Sequence, residues 1–224
     1  MISVVIPTLD AEAHLPAAFL SISMAAIHGL VGEVIVSDGG SSDRTLDIAE
    51  AAGAKVVKAP QGRGQQLRAG AGAARKPWLL FLHADTCLDQ GWEDDAKAFM
   101  ASNGDRAAAF RFKLADTGAG PRLLEALVAL RCGLFRLPYG DQGLLISRRL
   151  YDAIGGFSPL PLMEDVDLVR RLGRGRITIL KAAAITNAGR FRRDGYIRRS
   201  ARNLSCLALY MSGVSPERLV RYYG

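Results

Sequence analysis

The sequence predicts an α/β fold with a mostly parallel central sheet, helices on both faces of the sheet and a helical C-terminus. In the first half of the chain, four short β-branched runs alternate with Ala- and Leu-rich stretches of helical spacing. Connections as short as these are typical of parallel strands whose crossover helices cover the sheet. The composition, 49% hydrophobic and 23% charged, is that of a soluble globular protein. It excludes a disordered chain, a collagen-like repeat and a polytopic membrane protein.

The predicted elements follow in chain order. Strands are expected at 2–6, 33–37, 54–57 and 78–82, with helices at 11–28, 43–52 and 65–75. In the less regular second half, strands are expected at 107–114, 143–147 and 176–180, and helices at 121–132, 164–172 and 196–211. Residues 13–32 carry no charged side chain, but a proline, two histidines and two serines favour a buried amphipathic helix over a membrane span. No repeat or linker divides the chain, so we expect one domain over 1–224.

Basic residues are concentrated towards the C-terminus. Residues 1–169 contain 16 Lys and Arg against 20 Asp and Glu, whereas residues 170–224 contain 13 against 2. This asymmetry predicts an anionic partner, namely phosphate, nucleic acid or a lipid headgroup, or else a solvated surface that binds nothing. Three widely spaced cysteines without a CxxC pair suit a reducing compartment, and the first residues lack the basic region of a signal peptide. We therefore expect a cytoplasmic protein.

Ligands of a parallel sheet bind at the carboxyl ends of its strands, so the loops there are the candidate site. The first strand is followed by Pro7, Thr8 and Asp10, and the second by Asp38 and a Gly-Gly-Ser-Ser-Asp run. A carboxylate in that place can accept hydrogen bonds from a ribose or a base N–H, whereas Asp43 is expected to cap the next helix. The first loop lacks GxGxxG, which argues against a dinucleotide-binding domain.

Two further loops carry residues suited to phosphate and metal. Gly62, Arg63 and Gly64 open a helix, where a guanidinium beside backbone amides can bind phosphate, although many such loops bind nothing. The fourth strand delivers His83 and Asp85 at alternate positions, so both side chains are expected to point to the same side. One carboxylate there can hold a divalent cation whose shell is completed by substrate phosphates. A capping aspartate and a core histidine are the alternative.

The second half contains a cluster of acids. Tyr-Gly-Asp-Gln-Gly at 139–143 and Gly-Gly-Phe at 155–157 precede Glu164, Asp165 and Asp167. Acids in the first turn of a helix are favoured by its dipole, but three within four residues exceed what capping requires. If this helix points at the site, one of its carboxylates is available as a general base.

In this order, the motifs resemble family-2 glycosyltransferases of the GT-A fold over nearly the whole chain. The narrower likeness is to a small bacterial subgroup labelled for arsenosugar biosynthesis or for association with radical-SAM and selenoprotein-like domains. It rests on five motifs, at 62–66, 81–86, 138–143, 161–165 and 213–219. The resemblance implies transfer of a sugar from a nucleotide-diphosphate donor, with UDP as the family's usual carrier, to an acceptor hydroxyl with inversion at the anomeric carbon.

The resemblance also implies which residues bind the donor and the metal. Asp38 would contact the nucleobase or ribose, Arg63 and Gln66 would lie near the phosphates, and Asp85 would hold Mg²⁺ or Mn²⁺ as the last acid of the family's DxD element. The full donor-binding set would be Pro7, Thr8, Asp10, Asp38, Arg63, Gln66, Ala84 and Asp85. Two departures leave questions open. His83 replaces the first acid of DxD, so whether it binds metal is undecided, and Arg68 replaces an Asn, so either Arg63 or Arg68 could meet the diphosphate.

The second half would carry the chemistry. By resemblance, Asp165 is the catalytic base with Glu164 beside it, and the donor sugar or acceptor faces Asp141, Gln142 and Gly156. Residues 1–114 would then form the nucleotide-sugar-binding half, and residues 115–224 the acceptor and catalytic half. The sequence does not determine the sugar, the acceptor or the oligomeric state.

The basic C-terminal helix has two possible locations, and two functions other than glycosyl transfer remain to be considered. With its apolar remainder, the helix at 196–211 could lie on the inner face of the cell membrane, or it could pack on the sheet while its arginines hold phosphate. A nucleotidyltransferase of related fold is the alternative enzyme, but its Gly-rich loop with Arg and Lys is missing after the first strand. A nucleic-acid-binding module is disfavoured, since aromatic residues are only 7% and none interleave with the basic cluster. We expect no nucleic-acid partner.

Overall fold

Eight strands pair into one sheet in the computed structural model, which describes residues 1–102 and 104–223. The strands are β1 (Ile2–Thr8), β2 (Val31–Asp38), β3 (Lys55–Lys58), β4 (Trp78–Phe81), β5 (Thr86–Leu88), β6 (Ala107–Leu114), β7 (Leu144–Ser147) and β8 (Ile177–Thr186). The helices are α1 (Leu15–Ile27), α2 (Thr45–Ala51), α3 (Arg63–Ala73), α4 (Trp92–Ser102), α5 (Ala119–Phe135), α6 (Arg148–Ala153), α7 (Glu164–Leu172), α8 (Gly189–Asp194), α9 (Tyr196–Met211) and α10 (Pro216–Tyr223). Short 3₁₀ turns occur at Gly140–Gln142 and Arg174–Arg176.

The strand order is β3-β2-β1-β4-β7-β6-β8-β5. The first four strands along this order are parallel, as predicted. β7 is antiparallel to both β4 and β6, and β6 is parallel to β8, so the second half of the sheet is mixed. Strand direction reverses from β4 to β7 and again from β7 to β6. As a result, the strands β1, β4 and β8 all run the same way. Their carboxyl ends therefore meet at one edge of the sheet.

Alternate residues of the central strands feed two cores, one on each face of the sheet. Val4 and Leu80 pack with Trp92 of α4 and with α1, whereas Val5 and Leu79 pack with helices α3, α6 and α7. This alternation follows from the twofold repeat of a strand. A strand buried on both faces needs continuous apolar sequence, which explains the β-branched runs. The predicted fold class is confirmed.

The second half differs most from the predicted elements. β8 continues to Thr186, six residues beyond the predicted end, because its Ala-rich run lies buried beside β6 despite the weak strand preference of alanine. The sequence analysis did not predict β5, α4, α6, α8 or α10. β4 ends at Phe81, so His83 and Asp85 lie in a turn and the argument from strand alternation does not apply to them.

Helix α1 is buried on one side only. Leu15, Ala18, Ile22 and Ala25 face the core, while Leu20 and Ile27 are among the exposed apolar residues. The sequence predicted a buried amphipathic helix here, and the structure shows that only one face of it is buried. Among the described residues, no helix combines the length and apolar character that crossing a bilayer would require.

Candidate functional site

A cavity of about 480 Å³ opens at the carboxyl edge of the sheet. Its wall is built by the loops after β1, β4 and β8, which this edge brings together. The N-terminal ends of α3 and α7 and residues of α8 and α9 complete the wall. A crevice at the carboxyl ends of parallel strands is where α/β sheets bind ligands.

Asp38 is not on this wall. It is 2% exposed, and its carboxylate accepts hydrogen bonds from Thr8 Oγ1, from the Gly40 and Ser41 amides and from the Ser41 hydroxyl. Burial by itself would raise the pKa of Asp38, but these hydrogen bonds outweigh it and hold the pKa below its usual value. In this structure the Asp38 carboxylate holds its own loop in shape, and its predicted contact with a base or ribose stays a prediction.

Asp10 joins that loop to the cavity. Its backbone is left-handed, with φ 48°, and its Oδ1 accepts a hydrogen bond of 2.8 Å from the Ser42 amide, while its own amide donates to Ser41 Oγ. A non-glycine residue in this conformation is strained and is held by such contacts. Pro7, Thr8 and Asp10 all line the cavity, so the structure brings these three predicted residues together.

Helix α3 delivers Arg63 to the cavity and turns Arg68 away. Gly64 lets the start of α3 pack closely against the backbone at Ser158, because a Cβ at position 64 would clash with the Ser158 carbonyl oxygen. Gln66 also reaches the cavity, but its Nε2 donates to the Thr8 and Ser37 carbonyls at 2.6 and 3.1 Å, so it ties α3 to the strand ends. Arg68 is exposed and is not part of the wall.

The turn after β4 places His83, Ala84 and Asp85 together on the cavity wall. Burial, followed by the nearby Arg63 charge, lowers the pKa of His83 to about 4, so the imidazole is neutral at pH 7. The Asp85 carboxylate has a weak contact of 3.4 Å with its neighbour Thr86 Oγ1 and makes no ion pair within the described part of the chain. It is therefore available to a ligand.

Helix α7 starts at the cavity with two carboxylates that point to different places. Met163, at φ 65°, turns the chain sharply into the helix. Asp165 lines the cavity, and its Oδ2 accepts a hydrogen bond of 2.6 Å from the Gly140 amide. Glu164 is 1% exposed, and its Oε1 lies 3.6 Å from Arg63 Nη1. Burial raises the pKa of Glu164 to about 7, against the opposing effect of the Arg63 charge.

The 3₁₀ turn at Gly140–Gln142 separates two predicted neighbours. Asp141 lines the cavity with a buried Oδ1 that has no hydrogen-bond partner, and burial raises its pKa to about 6 although Arg131 opposes the shift. Gln142 is 1% exposed and faces the interior, where its amide donates to the Phe110 carbonyl and accepts from Arg131 and the Tyr139 amide. These bonds hold Gln142 in the core, away from the cavity wall, and its predicted place facing the sugar or acceptor stays a prediction.

Gly156 also lies away from the cavity. Its φ is 63°, and a Cβ at this position would come within 2.8 Å of the Tyr151 ring. The glycine is thus needed for a close turn packed on an aromatic side chain, and its predicted place facing the donor or acceptor stays a prediction.

Several residues of the wall were missed as individual site residues. Thr186 and Asn187 stand at the end of β8, Arg190 belongs to α8, and Arg199 and Asn203 belong to α9. A correct end for β8 would have identified Asn187, since it follows the strand directly. The arginines were noticed as a basic cluster, but the sequence did not indicate which of them face the site.

Comparison with known proteins now adds to this geometry. The family model described as Glycosyl transferase family 2 matches residues 3–159. The chain belongs to glycosyltransferase family 2. This membership confirms the resemblance to family-2 glycosyltransferases that the motifs indicated.

The curated relatives match over part of their length. A PGL/p-HBAD biosynthesis glycosyltransferase of Mycobacterium bovis is 37% identical over 109 residues, which are 46% of this chain and 41% of that protein. A glucosyl-3-phosphoglycerate synthase of Mycolicibacterium paratuberculosis is 40% identical over 93 residues, 38% of this chain and 28% of the relative. The chain thus spans less than half of each relative.

Solved structures agree on the fold. Glucosyl-3-phosphoglycerate synthase from Mycobacterium tuberculosis, in complex with Mn²⁺, UDP and phosphoglyceric acid, superposes with a TM-score of 0.63 and 25% identity, covering 96% of this chain and 79% of that one. S. aureus TarS residues 1–349 give a TM-score of 0.67 at 18% identity, covering 99% and 69%. The second likeness supports the fold alone.

Proposed function

We propose that this glycosyltransferase inverts the anomeric centre as it moves a sugar from a nucleotide-diphosphate donor, with UDP as the carrier, to an acceptor hydroxyl. The observation that carries the proposal is the position of Arg63, Asp85 and Asp165 on the wall of one cavity. These side chains supply a guanidinium for phosphate, an oxygen ligand for a cation and a carboxylate for a hydroxyl proton. They come from three different elements, so local sequence alone would not bring them together.

The donor assignment draws on the neighbour that has been solved with UDP and Mn²⁺. In this chain, Pro7, Thr8 and Asp10 on the cavity wall would contact the nucleoside, and Arg63 would contact the diphosphate. Arg63 is favoured over Arg68 because only Arg63 reaches the cavity. Asp38 acts indirectly, by holding the loop that supports Asp10.

Asp85 fits a divalent cation that is held together with its substrate. The carboxylate is a hard oxygen ligand, and it has no ion-pair partner in the described ranges. Those ranges also contain no cluster of three or more His, Cys, Asp or Glu that could hold a metal, so the remaining ligands would have to come from the substrate. We assign Asp85 as the protein ligand of Mg²⁺ or Mn²⁺, with diphosphate oxygens as further ligands. When bound, such an ion neutralises charge on the leaving diphosphate.

The proposed reaction breaks the bond between the anomeric carbon and the β-phosphate oxygen and forms a bond from that carbon to the acceptor oxygen. Asp165 takes the acceptor proton, and attack from the face opposite the leaving group gives inversion. The amide of Gly140 holds Asp165 Oδ2 in place. Arg63 offsets negative charge that develops on the departing nucleoside diphosphate.

The remaining proposals concern classification and location. We assign the chain to the bacterial subgroup named above, because four of its five motifs supply residues of the cavity wall or of the turns beside it. Residues 1–114 act as the nucleotide-sugar half and residues 115–224 as the acceptor and catalytic half of one domain. Cytoplasmic location is supported by three cysteines that are all free thiols.

Thermal unfolding with UDP and MnCl₂ tests the proposal. UDP should raise the Tm of the wild type more with Mn²⁺ than without it, because ligand binding to the folded state stabilises it. Asp85→Ala should lose the Mn²⁺-dependent part of the shift, while Asp94→Ala, which removes an exposed carboxylate of α4, should keep it. An Mn²⁺-dependent shift that is unchanged in Asp85→Ala would contradict the metal assignment, and no UDP shift at all would contradict the donor.

A further inference from the structure

Helices α5 and α9 expose an unusual amount of apolar side chain. On α5, Leu123, Leu127, Leu130 and Leu134 are 63%, 53%, 58% and 63% exposed, at the spacing of one helical stripe. On α9, Ile197 and Leu204 are 87% and 63% exposed, and Met211 is 54% exposed. We call these seven side chains, together with Phe135, the α5–α9 surface. Apolar residues scattered singly need no explanation, but stripes of this kind mark interaction sites.

The two helices lie side by side and run in the same direction. At their N-terminal ends, a Cβ on Gly120 would lie 3.5 Å from the Tyr196 ring. At their C-terminal ends, both reach the region of α7, where Arg174 stands over the Phe135 ring at 5.7 Å and Arg170 over the Tyr210 ring at 5.9 Å. The two helices have 17 and 16 residues, and each is roughly 25 Å long at 1.5 Å per residue.

Positive charge borders these stripes. Arg136 directly follows α5, Arg198 lies on the exposed side of α9, and neither has an acidic partner among the residues that the structure describes. Over residues 170–224 there are 13 basic residues and 2 acidic ones. An apolar face bordered by Arg is the pattern of a helix that lies in the headgroup region of a membrane.

We propose that the α5–α9 surface docks on a bilayer that contains anionic lipid. Leucine side chains enter the boundary between headgroups and acyl chains, and the bordering arginines meet lipid phosphates. A second copy of the chain fits this surface less well. A twofold contact places the same patch on both subunits, which would bring one basic border against another.

Docking at this surface would place the 3₁₀ turn at Gly140–Gln142 close to the lipid. On its inner side, α5 carries Arg131, whose guanidinium lies 3.5 Å from the centre of the Tyr139 ring and donates to the Leu137 carbonyl and Gln142. These contacts join α5 to the 3₁₀ turn that holds Asp141 at the cavity. One helix diameter, about 10 Å, therefore separates the proposed lipid surface from the loop of the cavity.

Vesicle sedimentation of the full chain tests the proposal. The wild type should pellet with vesicles of phosphatidylglycerol and phosphatidylcholine, and less with phosphatidylcholine alone or at high salt. The double variant Leu127→Gln/Leu130→Gln keeps the charge and should lower the partition coefficient about tenfold or more, since two leucine side chains lose their apolar contact. The matched control is Leu20→Gln/Ile27→Gln, which changes two similarly exposed residues of α1 and should bind like the wild type.

A charge variant and a measurement of mass complete the test. Arg136→Gln/Arg198→Gln should weaken binding to the anionic vesicles and leave the residual binding to phosphatidylcholine unchanged. The proposal would be overturned if Leu127→Gln/Leu130→Gln pelleted as strongly as the control Leu20→Gln/Ile27→Gln. It would also be overturned if the wild type did not pellet with the vesicles. A dimer in sedimentation velocity that Leu127→Gln/Leu130→Gln dissociates, without vesicle binding, would assign the surface to a second copy. Vesicle binding needs no nucleotide sugar, so a retained UDP shift would show that the transferase proposal survives such a failure.

Discussion

Two carboxylate environments at the carboxyl edge of the sheet differ in how their oxygens are satisfied. Asp38 receives four hydrogen bonds from Thr8, Gly40 and Ser41, and its pKa lies below the usual value. Around α7 the reverse holds. Asp141 and Glu164 each keep a buried oxygen without a hydrogen bond, and burial raises their pKa values to about 6 and about 7.

The difference teaches how one edge of a sheet can serve two purposes. A fully hydrogen-bonded carboxylate fixes a loop in a single conformation, which suits recognition of a rigid group such as a nucleoside. Buried carboxylates with unsatisfied oxygens are costly for folding, and groups of shifted pKa are typical of catalytic sites. This contrast supports our proposal that donor recognition lies on the Asp38 side and proton transfer on the α7 side.

The largest expected effect is at Asp165. Asp165→Asn should lower the transfer rate by about 10²- to 10⁴-fold, because a positioned general base contributes that much, while the Tm shift with UDP and Mn²⁺ persists. Asp167→Asn is the matched control on the same helix, since Asp167 binds Ser158 and Arg171 instead of lining the cavity. Near-normal turnover in Asp165→Asn would contradict the proposal that Asp165 is the general base.

The next effect concerns folding on the Asp38 side. Asp38→Asn should lower the free energy of unfolding by about 2–4 kcal/mol, because an amide cannot accept all four hydrogen bonds and leaves buried donors unpaired. Urea unfolding measures this change. Asp47→Asn, on the exposed surface of α2, should stay within about 0.5 kcal/mol of the wild type. Equal stability of both variants would show that the hydrogen-bonded loop is not rigidly held.

A pH series examines the buried acid of α7. The folded-state pKa of Glu164 is raised from 4.5 to about 7, so the folded protein binds more protons than the unfolded chain between these values. The stability from this group is present below about pH 4.5 and lost as pH rises through about 7. Glu164→Gln should remove up to about 3 kcal/mol of the decline in unfolding free energy from pH 5 to pH 8. A parallel decline in both proteins would contradict the raised pKa.

The smallest effect separates two arginines of α3. Arg63→Gln should raise the KM for the donor about tenfold, as expected for one charge-assisted contact of about 1.4 kcal/mol. Arg68→Gln should leave KM unchanged, because Arg68 is exposed outside the cavity. A larger rise for Arg68→Gln would reverse the assignment.

Sequence reasoning succeeded where the signal is local and failed where neighbours from other elements decide. The β-branched run of β1 and the acid-led start of α7 were predicted because periodicity and capping act within a few residues. β8 was predicted too short, since its alanines become strand only beside β6. Gln142 was placed at the ligand by family resemblance, whereas its hydrogen bond to the Phe110 carbonyl, 32 residues away, turns it inward.

The sequence by itself determined the α/β class, the order of the main elements and the types of side chain that stand after each strand, since these depend on local pattern. Only the tertiary structure decided which of those side chains meet. Asp85, in the turn after β4, and Asp165, at the start of α7, line one cavity although they are far apart in the chain. Contacts between residues so far apart in the chain depend on packing and strand pairing, and no local pattern encodes them.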